Sequence, residues 1–106
     1  MNLPHIEKIP PLSYYLNGRA VYEALKNEID KCRVLAPADH DVVIYAFGII
    51  CEDVIFMHPH TLVFRGINEN GDDTRVVAHF TQVMARVCYE PKRKAVGVIT
   101  GFAEIR

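Results

Sequence analysis

Five side chains late in the chain, Arg75, His79, Thr81, Gln82 and Arg86, have the types and spacing to hold a small anion. A neutral imidazole donates and accepts, an amide reads amide-like edges, and guanidinium groups prefer carboxylate or phosphate. Gathered on one surface, they would suit a small anionic or nucleotide-like ligand. His79 could also act as a general acid or base in a small enzyme. A plainer use competes with both. His79 and Gln82 can satisfy backbone groups freed where a strand is interrupted, because buried polar groups are paired.

Other reactive residues point to less. His58-Pro59-His60 is the obvious metal candidate, but two histidines at i and i+2 across a proline seldom converge on one ion. No third ligand is near in sequence, so they read as exposed loop histidines and no metal is expected. Ser13 is the sole serine and precedes a helix. Cys51 and Cys88 lack an elbow or a glycine-rich oxyanion turn. The acidic pairs Glu52-Asp53 and Asp72-Asp73 read as solvated turn charges. No phosphate-cradling glycine motif is present, and no cofactor is indicated.

The elements that must position the five residues show a change of pattern. Apolar residues sit at even positions up to Phe80 (Val76, Ala78, Phe80) and at odd positions from Val83 (Val83, Ala85, Val87, Tyr89). A strand alternates faces with period two, so one strand over residues 74–89 requires an extra residue, a β-bulge, near Thr81 and Gln82. That bulge would turn Arg75, His79, Thr81 or Gln82, and Arg86 toward one non-core face.

At 106 residues, half of them apolar, the chain makes a single domain (residues 1–106) with a real core. Lys and Arg number 12 against 13 Asp and Glu, a formal net charge of −1. This balance carries no electrostatic footprint for nucleic acid or an acidic membrane. Three cysteines without a CxxC pair suggest reduced thiols in a cytoplasm, with Cys32 buried and inert. Residues 1–11 lack the pattern of a signal peptide. No apolar run approaches the ~20 residues of a membrane span.

Residues 1–12 carry Pro4, Pro10 and Pro11 and read as an extended arm. Residues 18–34 read as an amphipathic helix with Val21, Ala24, Leu25, Ile29 and Cys32 on one stripe, Asn17 as its cap and Pro37 beyond its end. β structure follows over residues 41–105. Residues 42–50 are apolar on both faces, as in a central strand, and residues 53–57 form a short strand stopped by Pro59. Residues 61–67 alternate and join the next strand through a turn at residues 68–73, where Asn70-Gly71 supplies positive φ. A second turn at residues 90–94 leads to a last strand at 95–105, where Gly97 and Gly101 would allow a close approach. The expected class is α+β: an N-terminal extended arm and one amphipathic helix packed on a mostly antiparallel five-stranded meander sheet.

Several short motifs share one spacing: His40-Asp41-Val42, Phe47-Gly48, Pro59, Leu62, Phe64, Gly66, Asn68-Glu69 with Gly71, and His79 with Thr81-Gln82. Together, over residues 20–102, they resemble a family of small uncharacterised bacterial proteins. That family carries a His-Glu-Val start, a Phe-Gly, an Asn-Pro before a strand, a Gly-x-Asn-Glu-x-Gly turn and a Gln-His-x-Ser-Gln strand. Here Asp41 stands for Glu, His58 for Asn, Ala78 for Gln and Thr81 for Ser. The loss of the amide at Ala78 removes half of the family's Gln-His pair. The resemblance implies a bacterial source and no particular activity.

The reading that follows is a non-catalytic binding or accessory protein of a bacterium or phage. It acts as a homo-oligomer, with the arm through Pro11 meeting another subunit. The alternative is the small enzyme using His79.

Overall fold

The computed structural model describes residues 17–92 and 101–105, so the expected arm and residues 95–100 of the expected last strand lie outside the described residues. The order is one helix, α1 (Gly18–Leu35), then β1 (His40–Ala46), β2 (Ile49–Met57), β3 (Thr61–Asn68), β4 (Asp73–His79), a 3-10 turn (Phe80–Gln82), β5 (Arg86–Pro91) and β6 (Gly101–Ile105). This is an α+β domain. Among the described residues no helix is long and apolar enough to cross a membrane.

The helix begins where its cap predicts. Asn17 is extended, and its side-chain oxygen accepts from the Ala20 N–H at 2.7 Å. It ends before Pro37, with the Ala36 N–H bonded to the Cys32 carbonyl at 2.9 Å. Ile29 is fully buried, and Val21, Leu25 and Cys32 pack against the core. The stripe is wider than the expected set, because Tyr22 is also buried. Its ring stacks on Phe56 at 5.5 Å and meets Phe102 edge-on at 5.7 Å.

The strands form one six-stranded sheet in the order β4-β3-β2-β1-β5, with β6 beside β2. All neighbours are antiparallel except β6, which runs parallel to β2. One edge of β2 is shared: Ile49–Cys51 meets β1 and Asp53–Met57 meets β6. The core face carries Val42, Ile44, Ala46, Ile49, Cys51, Val54, Phe56, Leu62 and Phe64. Val43 and Val63 are buried on the other face, so the central strands are apolar on both sides.

Two strand expectations are corrected. Residues 42–50 are not one strand. Phe47 and Gly48 both have positive φ, 53° and 75°, the pattern of a two-residue type I′ hairpin turn between β1 and β2. Residues 74–89 are not one strand with a bulge. The even-parity stretch is β4 and the odd-parity stretch is β5, and they lie at opposite edges of the sheet. The change of parity is real, but the chain resolves it by leaving the sheet through the 3-10 turn.

A bulge exists elsewhere. In β2 the register shifts between Cys51, opposite Gly66, and Asp53, opposite Arg65, leaving Glu52 as the extra residue. The buried set changes parity there, from Ile49 and Cys51 to Val54 and Phe56. Glu52 and Asp53 are therefore strand residues, not turn charges. Both pair with Arg65: its Nη1 lies 3.5 Å from Glu52 Oε1, and its Nη2 donates to Asp53. The close backbone approach falls at Gly66 rather than Gly101, where an added Cβ would meet only Asp53 Oδ1 at an ordinary 3.6 Å.

The connection from β4 to β5 requires a curled sheet. Along the ladders, His79 lies level with Met57 of β2, and Arg86 lies level with Ile50. On a flat sheet these corners are ~30 Å apart, given ~4.8 Å between strands and ~3.3 Å per residue. The seven Cα steps from His79 to Arg86 reach ~25 Å at most, and less through a 3-10 turn. The sheet therefore curls, and the connector crosses its concave side. Phe80, Val83 and Ala85 accordingly pack against the core alongside α1.

Candidate functional site

His79 closes β4 and starts the 3-10 turn. Its Nδ1 lies 2.8 Å from Thr81 Oγ1 and accepts from the Thr81 N–H at 3.3 Å. Gln82 reaches back, and its Oε1 accepts from the His79 N–H at 3.2 Å. The two side chains make a reciprocal capping box. Three of the five candidate residues are thus brought together, engaged in local backbone satisfaction. The His79 ring also neighbours Phe80 at 4.5 Å and His60 at 5.8 Å.

The two loop histidines turn to different neighbours. His58 Nε2 lies 3.0 Å from Glu104 Oε1 and 3.0 Å from Arg19 Nη2. Arg19 donates to both Glu104 oxygens, at 2.7 and 3.2 Å, tying the start of α1 to β6. His60 faces His79 and Phe80 instead. Among the described residues no group of three His, Cys, Asp or Glu side chains could hold a metal ion.

The other two candidates stand apart from the cap. Arg75 is exposed on β4, directly across from Arg65 of β3. Arg86 opens β5 opposite Tyr45, and its guanidinium carbon stands 5.0 Å from the Tyr45 ring centroid. Arg86 has no carboxylate partner among the described residues. The Tyr45 hydroxyl donates to Glu90 across the same strand pair. That bond, with some burial, pushes the phenol pKa up to about 12.

Arg86 and Tyr45 line a cleft of about 620 Å³ at the sheet end where β1 turns into β2. The β1–β2 turn supplies Phe47 and Gly48, and the strands supply Ile49, Ile50 and Ile67. Asn68 and Glu69 come from the β3–β4 turn, and Met84 and Ala85 from the connector. The walls are mostly apolar. Phe47 stands 39 % exposed with its ring 5.3 Å from that of Phe64, and Met84 is 83 % exposed. An apolar cleft with few polar groups at its rim is the usual form of a small-molecule site.

Local chemistry builds the rim. The β3–β4 turn is closed by the Asn68 side chain, which accepts from the N–H groups of Asn70 and Asp72 at 2.9 and 3.0 Å. Gly71 takes φ 83° there. The connector must pass this end of the sheet to reach β5, which carries Met84 to the cleft. Of the candidate residues from sequence, only Arg86 belongs to it. Tyr45, Phe47, Ile67 and Met84 were missed. For Tyr45 and Phe47 the signal was Phe47-Gly48, a hairpin turn hidden inside an apolar run, while Ile67 and Met84 arrive from other elements and carried no local signal.

The cysteines do not extend the site. Cys51 is fully buried, and burial pushes its thiol pKa up to about 11. Cys32 Sγ lies 4.0 Å from Glu28 Oε2 on the helix. No family model, curated protein or solved structure matches the chain.

Proposed function

We propose that this chain is a non-catalytic binding protein of a bacterium or phage, working in the cytoplasm as a homo-oligomer. Its cleft holds a small ligand with a flat apolar body and one anionic group. The observation that carries this reading is Arg86, a cation on the Tyr45 ring at the rim of an apolar cleft, with no carboxylate partner among the described residues. Ile50, Ile67 and Met84 would contact the body, and the guanidinium would take a carboxylate, sulfonate or phosphate. Three free thiols agree with a reducing compartment. The enzyme reading rests on His79, whose Nδ1 is occupied by its own cap.

Two fluorescent probes of one shape test the cleft. Anilinonaphthalene sulfonate carries an anion, and phenyl-naphthylamine has the same rings without it. Both should bind saturably. Arg86→Gln should weaken the sulfonate by ~10- to 100-fold, the range of a lost charge-assisted hydrogen bond, and leave the neutral probe unchanged. Met84→Ala should weaken both. Equal effects of Arg86→Gln on the two probes, or no saturable binding, would refute the reading.

A further inference from the structure

Among the described residues β4 is an edge strand that pairs only with β3. The direction of its free backbone groups follows from the ladder. The Asn68 N–H donates to the Asp72 carbonyl, and the Phe80 N–H to the His60 carbonyl. The bonded pairs therefore fall at even positions of β4, and the N–H and C=O groups of Asp73, Arg75, Val77 and His79 point away from β3. Gln82 already occupies the outward His79 N–H. Among the described residues, Asp73, Arg75 and Val77 are left with outward groups on an edge without proline, lysine or bulge. Such an edge is a template for another strand. Val77 adds an apolar side chain that is 69 % exposed.

Charge selects the occupant and its register. Arg75 faces Arg65, whose own carboxylates are Asp53 and Glu52. Like charges directly opposite repel, and Arg75 has no ion-pair partner among the described residues. Asp73 lies two residues away on the same face. A second copy of β4, antiparallel about a two-fold axis at Thr74, sets each Asp73 against the Arg75 of the other copy. Other registers are poorer. An axis at Arg75 opposes two arginines, and axes at Val76 or Val77 call on His79, whose N–H is taken.

We propose that two copies of this chain pair through β4, antiparallel about Thr74, to continue the sheet across a dimer with reciprocal Asp73–Arg75 ion pairs. The inference rests on the homo-oligomer part of the proposed function and is independent of the cleft.

Sedimentation of the full chain and a charge swap test it. Asp73→Arg and Arg75→Asp should each raise the dimer dissociation constant by about tenfold or more, since each opposes like charges. The double variant should restore the dimer, with unchanged far-ultraviolet circular dichroism. Thr74→Cys should form a disulfide-linked dimer on oxidation, because residues on the axis sit ~4.5 Å apart at Cα. A parent protein that stays monomeric overturns this interface and the homo-oligomer reading together. An oligomer indifferent to both single swaps, or not restored by the double swap, overturns the interface alone.

Discussion

Gly66 runs directly against the backbone of Ile50 on the neighbouring strand. A Cβ placed on Gly66 would overlap the Ile50 carbonyl oxygen and stand 2.8 Å from its carbonyl carbon and 2.9 Å from Cys51 Cα. Backbone cannot rotate aside as a side chain can. This contact sits next to the bulge at Glu52, where β2 changes the face it presents. Gly66→Ala should therefore destabilise the fold by about 1–3 kcal/mol, the usual cost of overpacking, in chemical denaturation. At Gly71 nothing lies within 4 Å, but φ is 83°. Gly71→Ala should cost only the conformational strain of a left-handed alanine, about 1 kcal/mol.

Ile29 is the deepest side chain of α1, and Leu25 packs at the margin of the same cluster. Ile29→Ala should cost about 2–5 kcal/mol, with a cavity left behind. Leu25→Ala should cost less than Ile29→Ala under the same denaturant. The opposite order would mean that the helix seats on the sheet through a different stripe.

The phenol of Tyr45 gives an alkaline signature. Its folded pKa is raised from 10.0 to about 12, chiefly because Glu90 accepts its hydrogen. A raised pKa means that the contribution to stability is complete below pH 10 and is lost as the pH rises through 12. Spectrophotometric titration should show a tyrosine ionising late, absent in Tyr45→Phe. Glu90→Gln should move that ionisation to lower pH.

Cys51 should resist thiol reagents in the folded protein. It is fully buried, and its thiol pKa stands at about 11. At neutral pH, labelling of Cys51 followed by peptide mass mapping should proceed only as fast as the protein opens, and denaturant should expose it at once. Prompt native-state labelling of Cys51 would contradict the packing of β2 beneath α1.

Gln82 holds the end of β4 through one side-chain bond to the His79 N–H. Gln82→Ala should lower stability by about 0.5–2 kcal/mol, the range of a lost cap. It should leave the two naphthyl probes binding as before, because the cap and the cleft share no lining residue.

Much of the fold was legible because it rests on local rules. The α1 stripe, its Asn17 cap and the Asn68–Asp72 turn each follow from residues within a few positions. Tyr22 was not legible as core, because its partners Phe56 and Phe102 arrive from distant strands. Parity carried real information in two places. Over residues 74–89 it marked the break between two strands, and over residues 49–56 it marked the bulge. Parity alone cannot tell an inserted residue from a chain that departs, because both shift the alternation by one. The five-residue candidate set assumed a single strand. Once β4 and β5 separate to opposite edges, His79, Thr81 and Gln82 stay with the cap while Arg86 goes to the cleft. The cleft gathers residues from two turns, a connector and four strands, and no local spacing announces the whole of such a meeting.

The path of the connector also sets an order in time. β1 finds β2 across two residues, and β3 finds β4 across a short turn, so these hairpins can close within microseconds. β1 meets its other neighbour only when β5 arrives, pairing His40 with Pro91 across about fifty residues of chain. Such long-range closure slows folding far more than it alters equilibrium stability. Until then β1 has one flank open. Contact order therefore predicts that the β1–β5 ladder forms after the local hairpins.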